Sequence, residues 1–257
     1  MPLSRGRFVW YELMTTDTDA AKAFYGKVVG WGAQPAPVPG MPYTLLTAEG
    51  IPVAGLMPQP EEVKKRGAPP SWLGYVGVEN VDAAAAEATR LGATVHVGPS
   101  DIPNVGRFAV LLDPQQAAFA LFQPASPGDE SPQGLTKPGR VGWHELLASD
   151  WPKAFAFYSA LFGWEKGDAV DLGAMGTYQL FAIEGERAGG MFNKPPVVPH
   201  PFWLYYFNVG AIDAAAQRVR DAGGKITNGP MEVPGGSWIL QGIDPQGAMF
   251  ALVGSKA

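Results

Sequence analysis

Two hydrophobic periodicities alternate at the start of the chain and predict a strand followed by a helix. Residues 8–15, FVWYELMT, are rich in β-branched and aromatic side chains, which is typical of a strand. From Ala20 onward, apolar residues recur at every third or fourth position, which predicts an amphipathic helix. Thr16 or Asp17 can cap the first turn of this helix through a side-chain oxygen, and Gly30 is placed to end it.

The rest of the first 124 residues continues this alternation. Apolar segments predict the strands YTLLTA, VAGLM, WLGYVGV, VHVG, RFAVLLD and AAFALF, and NVDAAAAEATRLGA predicts a helix that ends at Gly92. The segments DPQQ and, later in the chain, DPQG predict tight turns between antiparallel strands. The order of elements is βαβββ–βαβββ. It predicts an α+β fold, in which curved mixed sheets carry helices on one face and a cup-like pocket on the other.

The whole pattern occurs twice. The first copy contains Trp10, Glu12, Leu13, Asp17, Phe24, Tyr25, Gly30 and Trp31, which align with Trp143, Glu145, Leu146, Asp150, Phe157, Tyr158, Gly163 and Trp164. Later segments match in the same order, and a repeat of this length indicates a duplicated domain rather than a solenoid. We expect the aligned FY pairs, with Trp31 and Trp164, to lie in the core.

The repeat also predicts the domain organisation. The segment between the two copies is rich in Pro, Gly and Ser, which is typical of a linker. We therefore predict a first domain at 1–124, a linker at 125–138 and a second domain at 139–257.

Composition excludes several classes of function. With 46% hydrophobic and 17% charged residues, the 257-residue chain has enough apolar material for packed cores. A formal net charge of -5 without a basic stripe argues against nucleic acid as a partner. The absence of cysteine excludes disulfides, thiol nucleophiles and thiolate metal sites. No apolar run is long enough for a signal peptide or a membrane-spanning helix, so we expect a cytoplasmic protein without a membrane partner.

These motifs resemble those of the vicinal oxygen chelate superfamily, which includes glyoxalase I, fosfomycin and bleomycin resistance proteins and extradiol dioxygenases. The resemblance rests on the strand followed by D…A…FY…GW, on the later V…DAAAA…LGA and on DPQG…F.L, and it covers nearly the whole chain. It implies a fold of paired βαβββ units that cup a pocket. The doubled W.EL…FY…GW is most similar to a glyoxalase-like branch from actinobacteria.

The resemblance also implies where a divalent metal would be held. Active members of the superfamily bind a metal through His, Gln or Glu side chains on three strands. The matching positions are Trp10, Leu73 and Ala120 in the first copy, and Trp143, Leu204 and Ala251 in the second. Because none of these side chains can ligate a metal, we predict no cofactor, with a divalent metal as the disfavoured alternative.

His144 is the one candidate metal ligand. Shifting the alignment by one residue would bring it to the first ligand position, but such a shift moves a side chain to the opposite face of a strand. The FY pair and Asp150 are fixed in the alignment and oppose the shift. The alternative is a histidine whose hydrogen bonds are satisfied inside the fold. His96 and His200 have no histidine counterpart in the repeat.

Strand alternation groups candidate residues on one face of the first strand, and the resemblance implies that this face is the concave, ligand-binding one. Trp10, Glu12 and Met14 share one face of the first strand, and the second copy repeats this arrangement. An apolar lining with one carboxylate suits a ligand pocket. The candidate ligand-binding residues are Trp10, Glu12, Tyr43, Leu73, Trp143, Glu145, Tyr178, Leu204 and Gln241, with Phe108, Val110 and Ile239 beside them. The two tryptophans either form a stacking wall or fill the space of a metal site.

Glu12 and Glu145 have two interpretations. As catalytic candidates, they are general bases, or they anchor a cationic or hydroxylated ligand. As structural groups, they pair with an arginine or accept backbone N–H bonds, because a buried carboxylate needs such partners. Their presence in both copies favours the structural interpretation.

The leading hypothesis is a tandem glyoxalase/bleomycin-resistance-like protein that lacks the usual metal ligands and binds a small amphipathic or aromatic molecule. The first alternative is an enzyme of the same fold, either a metal-dependent lyase or dioxygenase or a metal-free acid–base catalyst that uses Glu12 or Glu145. The second is a structural protein whose cups are filled by tryptophan. The expected partner is a small-molecule ligand, and the chain is expected to be a monomer or a homodimer.

Overall fold

The computed structural model describes residues 6–36, 38, 41–65, 67–126 and 136–257. The first copy contains β1 (Phe8–Thr15), α1 (Thr18–Val29), β2 (Gly32–Ala36), β3 (Tyr43–Ala48), β4 (Ile51–Pro58), α2 (Glu61–Lys65), β5 (Ser71–Gly77), α3 (Val81–Arg90), β6 (Thr94–Ile102), β7 (Gly106–Leu112) and β8 (Ala118–Pro124). The second contains β9 (Val141–Ala148), α4 (Trp151–Phe162), β10 (Glu165–Asp171), a 3-10 turn (Gly173–Met175), β11 (Thr177–Ile183), β12 (Glu186–Asn193), β13 (Phe202–Ala211), α5 (Ile212–Asp221), β14 (Lys225–Glu232), β15 (Trp238–Ile243) and β16 (Met249–Ser255). These elements confirm the predicted βαβββ–βαβββ order. Strand β2 and the short helix α2 were not among the segments that the sequence pattern predicted.

The ends of α1 and α4 follow from local sequence chemistry. The Asp17 carboxylate accepts hydrogen bonds from two backbone N–H groups in the first turn of α1, and Asp150 accepts one in α4. Gly30, with φ 88°, and Gly163, with φ 77°, close the helices in the left-handed conformation that glycine adopts without strain. None of the helices in the described ranges has the length and apolar composition that crossing a membrane requires.

Each copy forms one open, mixed sheet of eight strands, and the two sheets share one topology. The strand orders are β2-β3-β4-β1-β5-β8-β7-β6 and β10-β11-β12-β9-β13-β16-β15-β14. Strand β1 pairs in parallel with β4, and β5 pairs in parallel with β8, whereas the hairpins β3–β4 and β7–β8 are antiparallel. This arrangement confirms the predicted α+β class with duplicated βαβββ units.

Two compact units divide the chain differently from the sequence repeat. The described residues within Met1–Val9, Leu73–Gln133 and His144–Trp203 form the first unit, and those within Trp10–Trp72, Gly134–Trp143 and Leu204–Ala257 form the second. Each unit therefore combines half of one copy with half of the other. The predicted domain boundaries follow the repeat and stay a prediction, and the part of the predicted linker at 127–135 lies outside the described residues.

A buried series of hydrogen bonds joins the two copies within the second unit. The Trp72 indole Nε1 donates to the Tyr25 hydroxyl at 3.0 Å, and this hydroxyl donates to Oδ2 of Asp244 at 3.1 Å. The tyrosine lies in the first helix of the first copy, whereas the aspartate begins the DPQG turn of the second copy. We call this series a Trp–Tyr–Asp relay.

The first unit contains the matching relay with the copies exchanged. The Trp203 indole donates to Tyr158 at 2.9 Å, and Tyr158 donates to Oδ2 of Asp113 at 3.0 Å. The other oxygen of each aspartate accepts two backbone N–H bonds from its own turn. Burial raises the pKa of both aspartate carboxyls, although these hydrogen bonds oppose the shift. The relays therefore provide hydrogen-bond partners for buried polar groups that are costly to leave without them.

Tyr25→Phe tests this role of the relay. The substitution leaves the buried Trp72 indole without its acceptor and removes a bond to Asp244, so we expect a loss of about 2 to 4 kcal/mol in the free energy of unfolding. Combining it with Trp72→Phe removes the indole N–H group that has lost its acceptor. The loss in unfolding free energy of the double variant should therefore be smaller than the sum of the losses of the two single variants. Chemical denaturation measures both quantities. A loss below about 0.5 kcal/mol for Tyr25→Phe, which is typical of a neutral surface change, would contradict the assigned role.

Candidate functional site

The side chain of Tyr43 passes over a glycine to reach a glutamate two strands away. Glu12 on β1 is paired with Gly55 on β4, and β3, which carries Tyr43, is the next strand in the sheet. The Tyr43 hydroxyl donates to Oε2 of Glu12 at 2.9 Å. A Cβ atom at position 55 would collide with this hydroxyl. Glycine at position 55 is therefore what allows the tyrosine and the glutamate to meet.

Trp10 completes this arrangement. Its indole Nε1 donates to the Tyr43 hydroxyl at 3.0 Å, so the hydroxyl accepts one hydrogen bond and donates another. Burial and then the nearby Glu12 raise the pKa of Tyr43 far above its ordinary value, so the hydroxyl stays protonated at neutral pH. Glu12 is buried, whereas the two aromatic side chains are half-buried. We call Trp10, Tyr43 and Glu12 the Trp–Tyr–Glu site.

The second copy repeats the contact between tyrosine and glutamate. The Tyr178 hydroxyl donates to Oε2 of Glu145 at 3.0 Å, and Glu145 is paired with Gly190. A Cβ atom at Gly190 would collide with the Tyr178 ring. The Phe192 ring lies beside Tyr178, with centroids 5.7 Å apart. Sequence reasoning selected the glutamates and tyrosines but missed the two glycines, although Gly55 and Gly190 align in the repeat.

Gln241 makes a polar contact in the second unit that is separate from the Trp–Tyr–Glu site. Its Nε2 donates to the Tyr206 hydroxyl at 2.7 Å. Tyr206 was missed at the sequence level, although it aligns with Tyr75 in the repeat. Leu204 is buried, and strand alternation puts it on the same face of β13 as Tyr206.

Two further candidates occupy their predicted strands. Leu73 is buried in β5, where it lies on the same face as Tyr75. Trp143 is half-buried in β9, at the position that Trp10 occupies in β1.

His144 lies on the face of β9 opposite to Glu145. Its Nδ1 is 2.7 Å from the Ala188 carbonyl oxygen, which can only accept, so Nδ1 carries the hydrogen. The Phe8 ring stacks on the imidazole, with centroids 4.2 Å apart. Burial lowers the pKa of His144 to about 4, so the ring is neutral at physiological pH. These contacts favour a structural role over metal ligation.

The side chains at the six positions matched to metal ligands do not fit a metal ion. The Trp10 indole nitrogen carries a hydrogen and donates it to Tyr43, so it offers no lone pair to a metal. The Trp143 indole is likewise only a donor, and the leucines and alanines at the other four positions contain only carbon and hydrogen beyond the backbone. Within the described ranges, no group of three or more His, Asp or Glu side chains is placed to hold a metal.

A surface cavity of about 330 Å³ lies in the first unit. It is lined by Ile102, Asn104, Arg107 and Gln123 among others, and none of the predicted site residues is among them. The Arg107 guanidinium is already engaged, because it forms ion pairs with Asp82 and Asp101. The cavity adds no reactive group to the candidate site.

The fold and the paired Tyr–Glu contacts define a class of protein built from two tandem copies of a βαβββ–βαβββ sheet. The model of the Glyoxalase/Bleomycin resistance protein/Dioxygenase superfamily matches residues 7–121 and 140–252, which are the two copies. The chain belongs to this superfamily.

Relatives along nearly the full length agree with this assignment. The chain is 33% identical over 247 residues to CFP32 of Mycobacterium tuberculosis, whose name assigns it provisionally as a glyoxylase, and the match covers 95% of this chain and 93% of the relative. It is 30% identical over 262 residues to the anthracycline biosynthesis protein DauV of a Streptomyces species, with 96% and 93% covered.

A solved structure agrees at the level of the fold. The Mn(II)-bound glyoxalase from Novosphingobium aromaticivorans superposes with a TM-score of 0.65 over 99% of this chain and 83% of that chain, at 18% identity.

The buried imidazole predicts a dependence of stability on pH. The pKa of His144 is lower in the folded protein than in the unfolded chain, so its contribution is complete above about pH 6.5 and is lost as pH falls towards 4. The shift corresponds to about 3 kcal/mol. His144→Asn preserves a donor for Ala188 and cannot titrate, so it should flatten the fall in unfolding free energy between pH 7 and pH 4.5. The exposed His200→Asn is the matched control and should keep the wild-type slope. Equal slopes in all three proteins would contradict this role of His144.

Proposed function

We propose that the protein binds a small amphipathic or aromatic molecule without a metal, and that the Trp–Tyr–Glu site is one of its anchors. The observation that carries the proposal is the chain of two hydrogen bonds from Trp10 through Tyr43 to Glu12. These bonds fix a half-buried indole and a buried carboxylate in place before any ligand arrives. A site fixed in advance loses less side-chain entropy on binding.

The chemistry of the site suggests how such a molecule would be held. An aromatic ring against Trp10 would gain about 0.5 to 1.5 kcal/mol beyond its apolar burial. An oxygen of Glu12 would accept a hydrogen bond from a hydroxyl or amino group of the ligand. An apolar body with one polar handle satisfies both groups, which is the definition of an amphipathic ligand.

The relatives support an aromatic ligand. DauV is named for anthracycline biosynthesis, and anthracyclines contain fused planar rings that carry hydroxyl groups. A ligand of that kind combines the flat face that suits the indole with the donor that suits the carboxylate. This support concerns the ligand class only.

A metal-free acid–base enzyme is the second candidate. The carboxylate of Glu12 holds a hydrogen bond from a tyrosine that stays protonated, and a positioned carboxylate is the group that general-base catalysis needs. Glu145 with Tyr178 provides the same pair in the other copy. A metal-dependent lyase or dioxygenase is disfavoured by the six side chains at the ligand positions, although the fold is shared with a Mn(II)-bound glyoxalase.

Glu12→Gln tests the ligand anchor with 2-naphthol as the probe. The amide keeps one acceptor for Tyr43 and replaces the second oxygen by a donor, so the naphthol hydroxyl loses its acceptor. We expect its affinity, measured by ligand-observed NMR, to fall about fivefold, the equivalent of one hydrogen bond. The exposed Glu79→Gln is the matched control and should bind 2-naphthol as the wild type does. Unchanged affinity in Glu12→Gln would reject the anchor.

Elemental analysis tests the absence of a metal. Protein purified without an affinity tag or chelator should contain well below one transition-metal ion per chain, because the matched positions carry no ligating atoms. Dialysis against EDTA should leave its melting temperature and its affinity for 2-naphthol unchanged. A stoichiometric metal that survives purification, with binding lost on its removal, would overturn the metal-free proposal.

A further inference from the structure

Four residues lie directly opposite one another on neighbouring strands of the second sheet. Asn228 on β14 is paired with Gln241 on β15, Gln241 with Ala251 on β16, and Ala251 with Tyr206 on β13. Side chains at paired positions share one face of a sheet. We call these four residues the amide rung, and all of them belong to the second compact unit.

The first sheet contains the same rung with different chemistry. Val97 on β6 is paired with Val110 on β7, Val110 with Ala120 on β8, and Ala120 with Tyr75 on β5. We call these residues the valine rung, and they belong to the first compact unit. Both rungs contain a tyrosine and an alanine at equivalent positions. At the other two positions the first copy has Val97 and Val110, and the second copy has Asn228 and Gln241.

The residues beside each rung also differ in chemistry between the two copies. Next to the valine rung, Phe108 is paired with Phe122, and the Tyr75 ring lies 6.5 Å from each of them by centroids. The equivalent pair beside the amide rung is Ile239 and Val253. One face therefore combines aromatic rings with valines, and the other combines amides with aliphatic side chains.

The amide rung is ordered by its own hydrogen bonds. Gln241 donates to the hydroxyl of Tyr206, which is buried, and accepts from Nδ2 of Asn228 at 3.4 Å. Asn228 is exposed, and in the described part of the chain this is the one hydrogen bond that its side chain makes. Each amide has both donor and acceptor atoms, and the rung contains no charged residue.

We infer that the two copies have diverged in ligand chemistry, and that the amide rung binds an uncharged polar group such as a carboxamide. A carboxamide matches the amides atom for atom, because it too both donates and accepts. The valine rung with its two phenylalanines takes an apolar aromatic group instead. This inference rests on the proposed function, because it assigns a subsite for the small molecule that the protein is proposed to bind.

A pair of probes with the same ring system tests this assignment. The probes are 2-naphthamide and 2-methylnaphthalene, titrated against the full chain in two-dimensional ¹H–¹⁵N NMR spectra. Comparison of the spectra of Gln241→Val and Asn228→Val with that of the wild type assigns the two side-chain amide signals. In the wild type, 2-naphthamide should shift these signals and 2-methylnaphthalene should not.

The affinities give the second readout. Gln241→Val should weaken 2-naphthamide about fivefold and leave 2-methylnaphthalene unchanged, as expected for the loss of one hydrogen bond. Gln34→Val, at an exposed position on β2, is the matched control and should change neither affinity. Because Asn228 is exposed, Asn228→Val decides the question if Gln241→Val does not fold.

The outcomes of these titrations distinguish the subsite assignment from the proposed function. If neither probe binds the wild type, the proposed function is overturned, and the subsite with it. If both probes bind but the rung variants weaken them equally or not at all, the subsite is overturned and the proposed function stands. Selective loss of 2-naphthamide supports both.

Discussion

The buried Trp–Tyr–Asp relays are the interaction on which the rest of the structure depends. A carboxylate away from water is stable only with hydrogen-bond donors around it, and each relay aspartate receives two from its turn and one from a tyrosine. Because Tyr25 and Asp244 come from different copies, one copy alone cannot complete the set. The duplication is thus part of the folding chemistry as well as a feature of the sequence.

The relays also fix the strands that carry the candidate chemistry. Asp244 follows directly after β15, three residues beyond Gln241, so the bond from Tyr25 holds the end of the strand that carries the amide rung. At the other end of the relay, Trp72 lies at the start of β5. Ordered strand ends set the register, and register decides which side chains share a face. The relay therefore helps to position the candidate residue Gln241 through contacts that lie in the buried core.

Sequence pattern predicted the elements well because they depend on local chemistry. The caps at Asp17 and Gly30 and the alternation of Trp10 and Glu12 are visible within a few residues of the chain. The partners of those residues were not predictable in the same way. Tyr25 was expected in the core, and it is buried there, but its bond to Asp244 spans 219 positions and leaves no periodicity. Gly55 gave a signal only through its alignment with the second copy.

The two copies differ at positions where a substitution costs little stability. Replacing a relay tyrosine would leave a buried polar group without a partner, which costs about 1 to 3 kcal/mol for each lost partner. Replacing Gly55 would create a collision with the Tyr43 side chain. Val110 and Gln241 are half-buried, so exchanging one for the other disturbs less of the core than replacing a relay residue does, although losing Gln241 removes one hydrogen bond from the buried Tyr206 hydroxyl. The same backbone rung can therefore carry valines in one copy and amides in the other. The proposed divergence in ligand chemistry therefore needs no change in the buried contacts that define the fold.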